Sequence, residues 1–168
     1  MRRERFRQLY DQLYDDLWKY CQRRSATAEQ AADVLGETML VMWERLDNVP
    51  TGTGARPWLF GVARNQLRRR NEAASRSDRL VERLTSEYVT RRAPADIAER
   101  TIAQETLDGL SKLPEEEQEL LRLRAWEGLS HREIAEIFDI SENAVAIRMH
   151  RARQRLSALV NNESETDE

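Results

Sequence analysis

The sequence predicts an all-α chain of two small helical domains joined by a flexible linker. Three observations lead there. Charged residues make up 34% of the chain, while only 6 Gly and 4 Pro occur in 168 residues, a composition that favours long solvated helices over a turn-rich β fold. The hydrophobic 40% recurs at three- and four-residue spacing, the period of an amphipathic helix rather than a strand. That periodicity fades between about Ser75 and Pro94, where Ser, Arg and Thr accumulate, and resumes beyond it. The expected organisation is a domain at 1–75, a linker at 76–94, a second domain at 95–160 and an acidic, disordered tail at 161–168.

The first helix is marked by Phe6, Leu9, Tyr10, Leu13, Tyr14, Leu17, Trp18 and Cys21, which form one apolar face. Polar Arg23 to Thr27 breaks it. A second helix carries Ala31, Val34, Leu35, Thr38, Met39, Val41, Met42 and Leu46. The stretch from Asp47 to Gly54 holds one Pro and two Gly in a short polar run and reads as a loop. A third helix starts near Pro57, where a missing N–H is harmless, and runs through Leu59, Phe60, Ala63 and Leu67 into Arg68-Arg69-Arg70. The linker is helical in part around Leu80 to Leu84.

The second domain opens near Ala95 with a modest helix using Ile97, Ile102, Leu107 and Leu110. Leu113-Pro114-Glu115-Glu116-Glu117 then starts a helix, with acids at the positive end of its dipole, and Gly128 suits its C-terminal cap. The acid run is explained by that start, without a metal. Ser130-His131-Arg132-Glu133 fits a capping box for a short helix with Ala135 at its centre. Asp139-Ile140-Ser141 makes a turn, and Ser141 caps a last helix reaching about Leu159.

That final helix buries Val145, Met149, Ala152 and Leu156 and exposes Arg148, His150, Arg151, Arg153 and Arg155. A short capped helix, a tight turn and a one-sided basic helix together have the anatomy of a helix-turn-helix, whose second helix fits the DNA major groove. The net charge of -3 does not oppose this, because binding depends on where positive charge sits. One Cys and two His leave a poor ligand set for zinc, and Cys21 on an apolar stripe reads as a packing thiol. No cofactor or metal is implied. The N-terminus holds no signal-peptide core and no apolar run nears spanning length, so the chain is expected in the cytoplasm without a membrane partner.

Two segments resemble bacterial RNA polymerase sigma factors of the extracytoplasmic-function (ECF) class. Ala32 to Trp43, followed by Pro57-Trp58-Leu59-Phe60-Gly61-Val62-Ala63-Arg64-Asn65, looks like region 2. Leu113-Pro114 to Leu120-Leu121, then Leu129 to Ser141 and Arg148 to Arg153, is similar to region 4. The resemblance implies a promoter-recognising initiation factor without catalytic residues. Its partners would be core polymerase, through the clamp helices and flap, promoter DNA and an anti-sigma factor.

By the same resemblance, Asp33, Glu37, Thr38 and Trp43 meet the polymerase clamp. Spacing alone puts Asp33 and Glu37 on one face, while Trp43 fits a core position equally well. Asn48 lies in the loop that resembles the −10 base pocket. Trp58, Arg64, Asn65, Arg68, Arg69 and Arg70 would follow the separated strands. Ser141, Asn143, Ala146, Ile147, Arg148, His150, Arg151 and Arg153 would meet the −35 element.

Two departures stand out. Gly36 occupies a position that is commonly Gln in the family. Ala146 and Ile147 stand where Arg or Lys and Ser are frequent, so they would offer methyl contacts to thymine and move base hydrogen bonding towards Asn143, Arg148 and His150. An anti-sigma partner is expected on the apolar surface around Met39, Met42 and Trp43. An autonomous dimeric repressor or activator is the competing binder, set apart by residues 32–70. An enzyme is disfavoured because no acid, base, nucleophile or phosphate loop converges.

Overall fold

The computed structural model describes the backbone of residues 1–81 and 106–164, and the side chains of residues 1–73 and 106–161. All regular structure among the described residues is helical. The chain divides into two compact units, Met1–Thr90 and Arg91–Glu168.

In the first unit, α1 (Arg2–Arg24) and α2 (Ala28–Glu44) are separated by a break at Ser25, which is extended. The Thr27 hydroxyl accepts the Gln30 N–H at 3.1 Å and starts α2. Two single-turn 3-10 segments, Leu46–Asn48 and Gly52–Gly54, lead into α3 (Ala55–Val81). Pro57 falls in the first turn of α3, where backbone N–H groups have no helical acceptor.

The core of this unit is narrower than the sequence face of α1. Leu13, Leu17, Tyr20 and Cys21 are buried, whereas Tyr10 is exposed. Tyr20, outside the expected face, stacks edge-on against Phe60 of α3 with ring centroids 4.9 Å apart. Val34, Leu35, Met39 and Met42 of α2 and Leu59, Ala63 and Leu67 of α3 complete the interior. Met39 and Met42, expected on an exposed apolar surface, are therefore inside; Leu40 at 56% and Trp43 are exposed instead.

In the second unit, residues 106–111 are helical. They precede α4 (Glu115–Ala125), α5 (His131–Phe138) and α6 (Glu142–Ser164). Leu113, Leu120, Leu123, Leu129, Ile134, Val145, Met149 and Ala152 form its core. A Cβ built on Gly109 would stand 3.2 Å from Leu156 and from Val160, so residue 109 packs its backbone closely against the end of α6. Leu156 is half-buried there.

Ser130 caps α5 with both arms of the capping box: its hydroxyl accepts the Glu133 N–H at 3.2 Å, and its own N–H donates to the Glu133 carboxylate at 2.8 Å. Asp139 closes α5 at φ 52°, in the left-handed region. The Ser141 hydroxyl then accepts the Ala144 N–H at 3.1 Å and opens α6.

α3 and α6 both outrun their expected ends. Residues 76–81 of the expected linker continue α3, and 161–164 of the expected tail continue α6. The reason is plain in the chain: neither Gly nor Pro stands between Val62 and Ala93, or after Ser141, to stop the backbone. Residues 82–94, Ile97, Ile102 and the last four positions lie outside the described residues.

Candidate nucleic-acid interface

α6 carries the clearest surface. With roughly 3.6 residues per turn, Val145, Met149 and Ala152 mark the inward seam, Asn143, Ile147 and His150 come to the opposite side, and Arg151 lies between them and the flank that faces α4. All four are exposed, Ile147 at 45%. Ser141 sits at the exposed start of the helix, where its hydroxyl is spent on the cap. Ala146 is half-buried beside the seam, and exposed Arg153 stands on the same flank. Arg148 and Arg155 stand on the other flank, towards the start of α4. There Arg148 comes within 3.8 Å of Glu116, and Arg155 donates to Glu117. So the expected −35 residues form a central strip with two flanks rather than one uniform basic face.

On the first unit, α3 aligns half-buried Trp58 with exposed Asn65 and Arg69 along one strip, an aromatic followed by polar and cationic groups. Arg68 lies beside this strip and pairs with Glu72 at 3.4 Å. Arg64 is half-buried. Arg70 departs from expectation. It follows Ala63 and Leu67 on the inward stripe, turns to α2, and donates to Asp33 at 3.2 Å and Glu37 at 2.6 Å. The Glu37 hydrogen bond is the main cause that raises its pKa above the ordinary arginine range. Thus Arg70 is turned away from that strip, and the two carboxylates expected to face the clamp already hold a cation of the chain itself.

Thr38 is corrected more sharply. It is fully buried and its hydroxyl donates to the Val34 carbonyl at 2.7 Å, so it has no surface to offer a partner. Trp43 is exposed at the end of α2. Phe6 meets its ring edge-on at 5.3 Å, and the Arg2 guanidinium lies 5.4 Å from the ring centroid.

Asn48 is exposed in the first 3-10 turn, between buried Leu46 and Val49. Arg2 and Arg5 of α1, to which local sequence pattern gives no role, pin this loop. Arg5 donates to the Val49 carbonyl at 2.5 Å, and Arg2 donates to Asp47 at 3.4 Å and to the Trp43 carbonyl at 2.8 Å. The signal was the basic start Arg2-Arg3-Glu4-Arg5, whose long-range partners no local pattern reveals. Gly54 is required at the far side of the loop, since a Cβ there would stand 2.9 Å from that of Pro50.

Comparisons with known proteins match both units. A family model of sigma-70 region 2 matches residues 9–77, and one of sigma-70 region 4 matches residues 103–156. The ECF RNA polymerase sigma factor SigL of Mycobacterium tuberculosis (strain ATCC 25618 / H37Rv) is 32% identical over 153 residues, which cover 89% of this chain and 85% of that protein. The chain belongs to the ECF RNA polymerase sigma factors. As a sigma factor it is a regulatory initiation factor: it recognises promoter DNA and directs transcription initiation by core RNA polymerase.

Two solved sigma factors share the fold. The structure of RpoE with the anti-sigma factor NepR from Bartonella quintana aligns at TM-score 0.72 and 22% identity, covering 93% of this chain and 96% of that one. The structure of CnrH with the cytosolic domain of CnrY aligns at 0.64 and 27% identity, covering 94% and 88%. Among the described residues, no helix of this ECF sigma factor is long and apolar enough to cross a membrane. Nor does any group of three or more His, Cys, Asp or Glu there form a cation cluster.

Proposed function

We propose that this sigma factor works in the cytoplasm as two DNA-reading modules on core polymerase, which supplies all the chemistry. Residues 1–75 form the module for the polymerase clamp and the −10 element, and residues 95–160 the module for the flap and the −35 element. Asp33, Glu37 and Trp43 face the clamp, with Arg70 holding the two carboxylates in place rather than meeting DNA. Asn48 borders the pocket for an unpaired −10 base. Trp58, Asn65, Arg68 and Arg69 follow the separated strands, with Arg64 at their edge.

The one-sided face of α6 carries this reading. Asn143, Ile147 and His150 lie opposite an apolar seam, with Arg151 beside them, on a helix that begins at a capped turn. Such a helix enters the major groove from its N-terminal half. Ile147 supplies a methyl contact to thymine, with Ala146 and Ser141 at the margin. Arg148 and Arg153 flank the strip and meet phosphates. An anti-sigma factor covers Leu40 and Trp43; the structure of CnrH, a 27% identical neighbour, is of a complex with the cytosolic domain of CnrY.

A promoter panel tests the assignment. Arg151→Ala in the assembled polymerase costs about 1–3 kcal/mol on promoters carrying the preferred −35 base and little on others, whereas Arg153→Ala weakens all promoters evenly. Equal, unselective losses for both would remove base reading from α6. Tight binding of the free chain to inverted repeats would favour an autonomous dimeric regulator instead.

A further inference from the structure

Two cations of α6 are not presented to solvent alone. The first turn of α4 lies alongside their flank, and between the helices runs a cleft lined among others by Glu116, Glu117, Leu120, Arg148, Arg155 and, at its outer edge, Arg151. Its two ion pairs differ in kind. Glu116 and Arg148 stand 3.8 Å apart with side chains 67% and 46% exposed, a loose surface pair that an approaching phosphate can outcompete. Glu117 is only 18% exposed against 57% for Arg155. One Glu117 oxygen accepts from Arg155, and the other is buried without a hydrogen-bond partner.

We propose that Glu117 is an affinity-setting residue of the −35 module, keeping Arg155 as a built-in counter-ion and off the DNA backbone. The proposal rests on α6 being the groove helix. The burial asymmetry decides who keeps the arginine. If Arg155 swung out to a phosphate, it would leave Glu117 ionised, mostly buried and unpaired, a costly state. The first turn of α4 also favours a carboxylate at 117, because the helix dipole is positive there. Arg155 therefore stays on Glu117 when DNA binds and releases no counterion from it. Glu116 competes for Arg148 in the same direction but more weakly. The result is a module whose duplex affinity is held down and whose selectivity rests on the central strip.

Salt dependence reads this directly, since each phosphate contact adds about 0.9 to the slope of log K against log salt. Fluorescence anisotropy of the full chain on a short mixed-sequence duplex, from about 50 to 200 mM KCl, gives that slope. Glu117→Gln is expected to bind several-fold tighter at the low end, with a slope steeper by about 0.9 as Arg155 turns to phosphate. Glu117→Gln combined with Arg155→Gln, which removes both charges together and spares the fold, is expected to return the wild-type slope. Two results overturn the proposal: a single variant no tighter than wild type, or a double variant whose slope has lost about one contact. Arg153→Ala, at a phosphate-contacting position on the other flank, serves as the reference. If it leaves the slope unchanged, the reading of α6 itself has failed, which separates that failure from an error about Glu117.

Discussion

Cys21 has no exposed surface, and burial pushes its thiol up to about 12, with nearby Arg24 pulling weakly the other way. The thiol therefore stays protonated and serves as a packing atom. An aromatic disulfide reagent at pH 8 should leave the native chain unlabelled and react at once in denaturant; rapid native labelling would show an open core. The folded pKa lies above the ordinary value. Stability from the protonated thiol is therefore complete below the ordinary thiol range, and it is lost as pH climbs towards 12. Thr38 makes a parallel case. Thr38→Val removes one bond to a helix carbonyl and should shift stability by less than about 1 kcal/mol. Polymerase affinity, measured by competition for core enzyme, should not change; a marked loss would mean that α2 opens on binding. Arg70 shows why some residue roles were hidden. Read as part of a basic run with Arg68 and Arg69 it looks like a DNA contact, yet it continues the inward stripe of Ala63 and Leu67 and meets Asp33 and Glu37.

At the scale of elements, helix starts were legible and helix ends were not. Pro114, Ser130 and Ser141 each stand where a helix begins, because short oxygens and proline satisfy needs found only there, whereas the cap at Thr27 shows only in the structure. Ser130→Ala breaks the capping box and should cost about 1 kcal/mol, seen as a lower Tm. No change in Tm would mean that water replaces the hydroxyl without loss. Gly128 sits at φ 65°, the conformation that lets the chain turn from α4 to α5. Gly128→Ala should cost about 1 kcal/mol although no atom blocks the added methyl. The ends of α3 and α6 had no such marks, so only the backbone reveals how far each helix runs. The buried face of α1 differs from the apolar stripe for another reason. Eight apolar residues share the expected face, yet packing against α2 and α3 buries only Leu13, Leu17 and Cys21 of them and adds Tyr20 from beside it.

The whole molecule carries net charge -3, yet α3 and α6 both present cationic groups to solvent. The two-part organisation was legible because each half holds its own motif in the order of the family, covered by separate region 2 and region 4 models. The flanking acids at Glu116 and Glu117 were read only as a helix start; their second role needs α6 beside them, which no local pattern contains. Weak modules tethered on one enzyme reach useful affinity because the second contact becomes intramolecular. The decisive measurement is transcription in vitro with purified core polymerase on genomic fragments, with and without the chain. Transcripts should appear only with the chain, from starts sharing two elements at fixed spacing, and should fall with Arg151→Ala. Unchanged transcription, together with tight binding of the free chain to inverted repeats, would contradict the account.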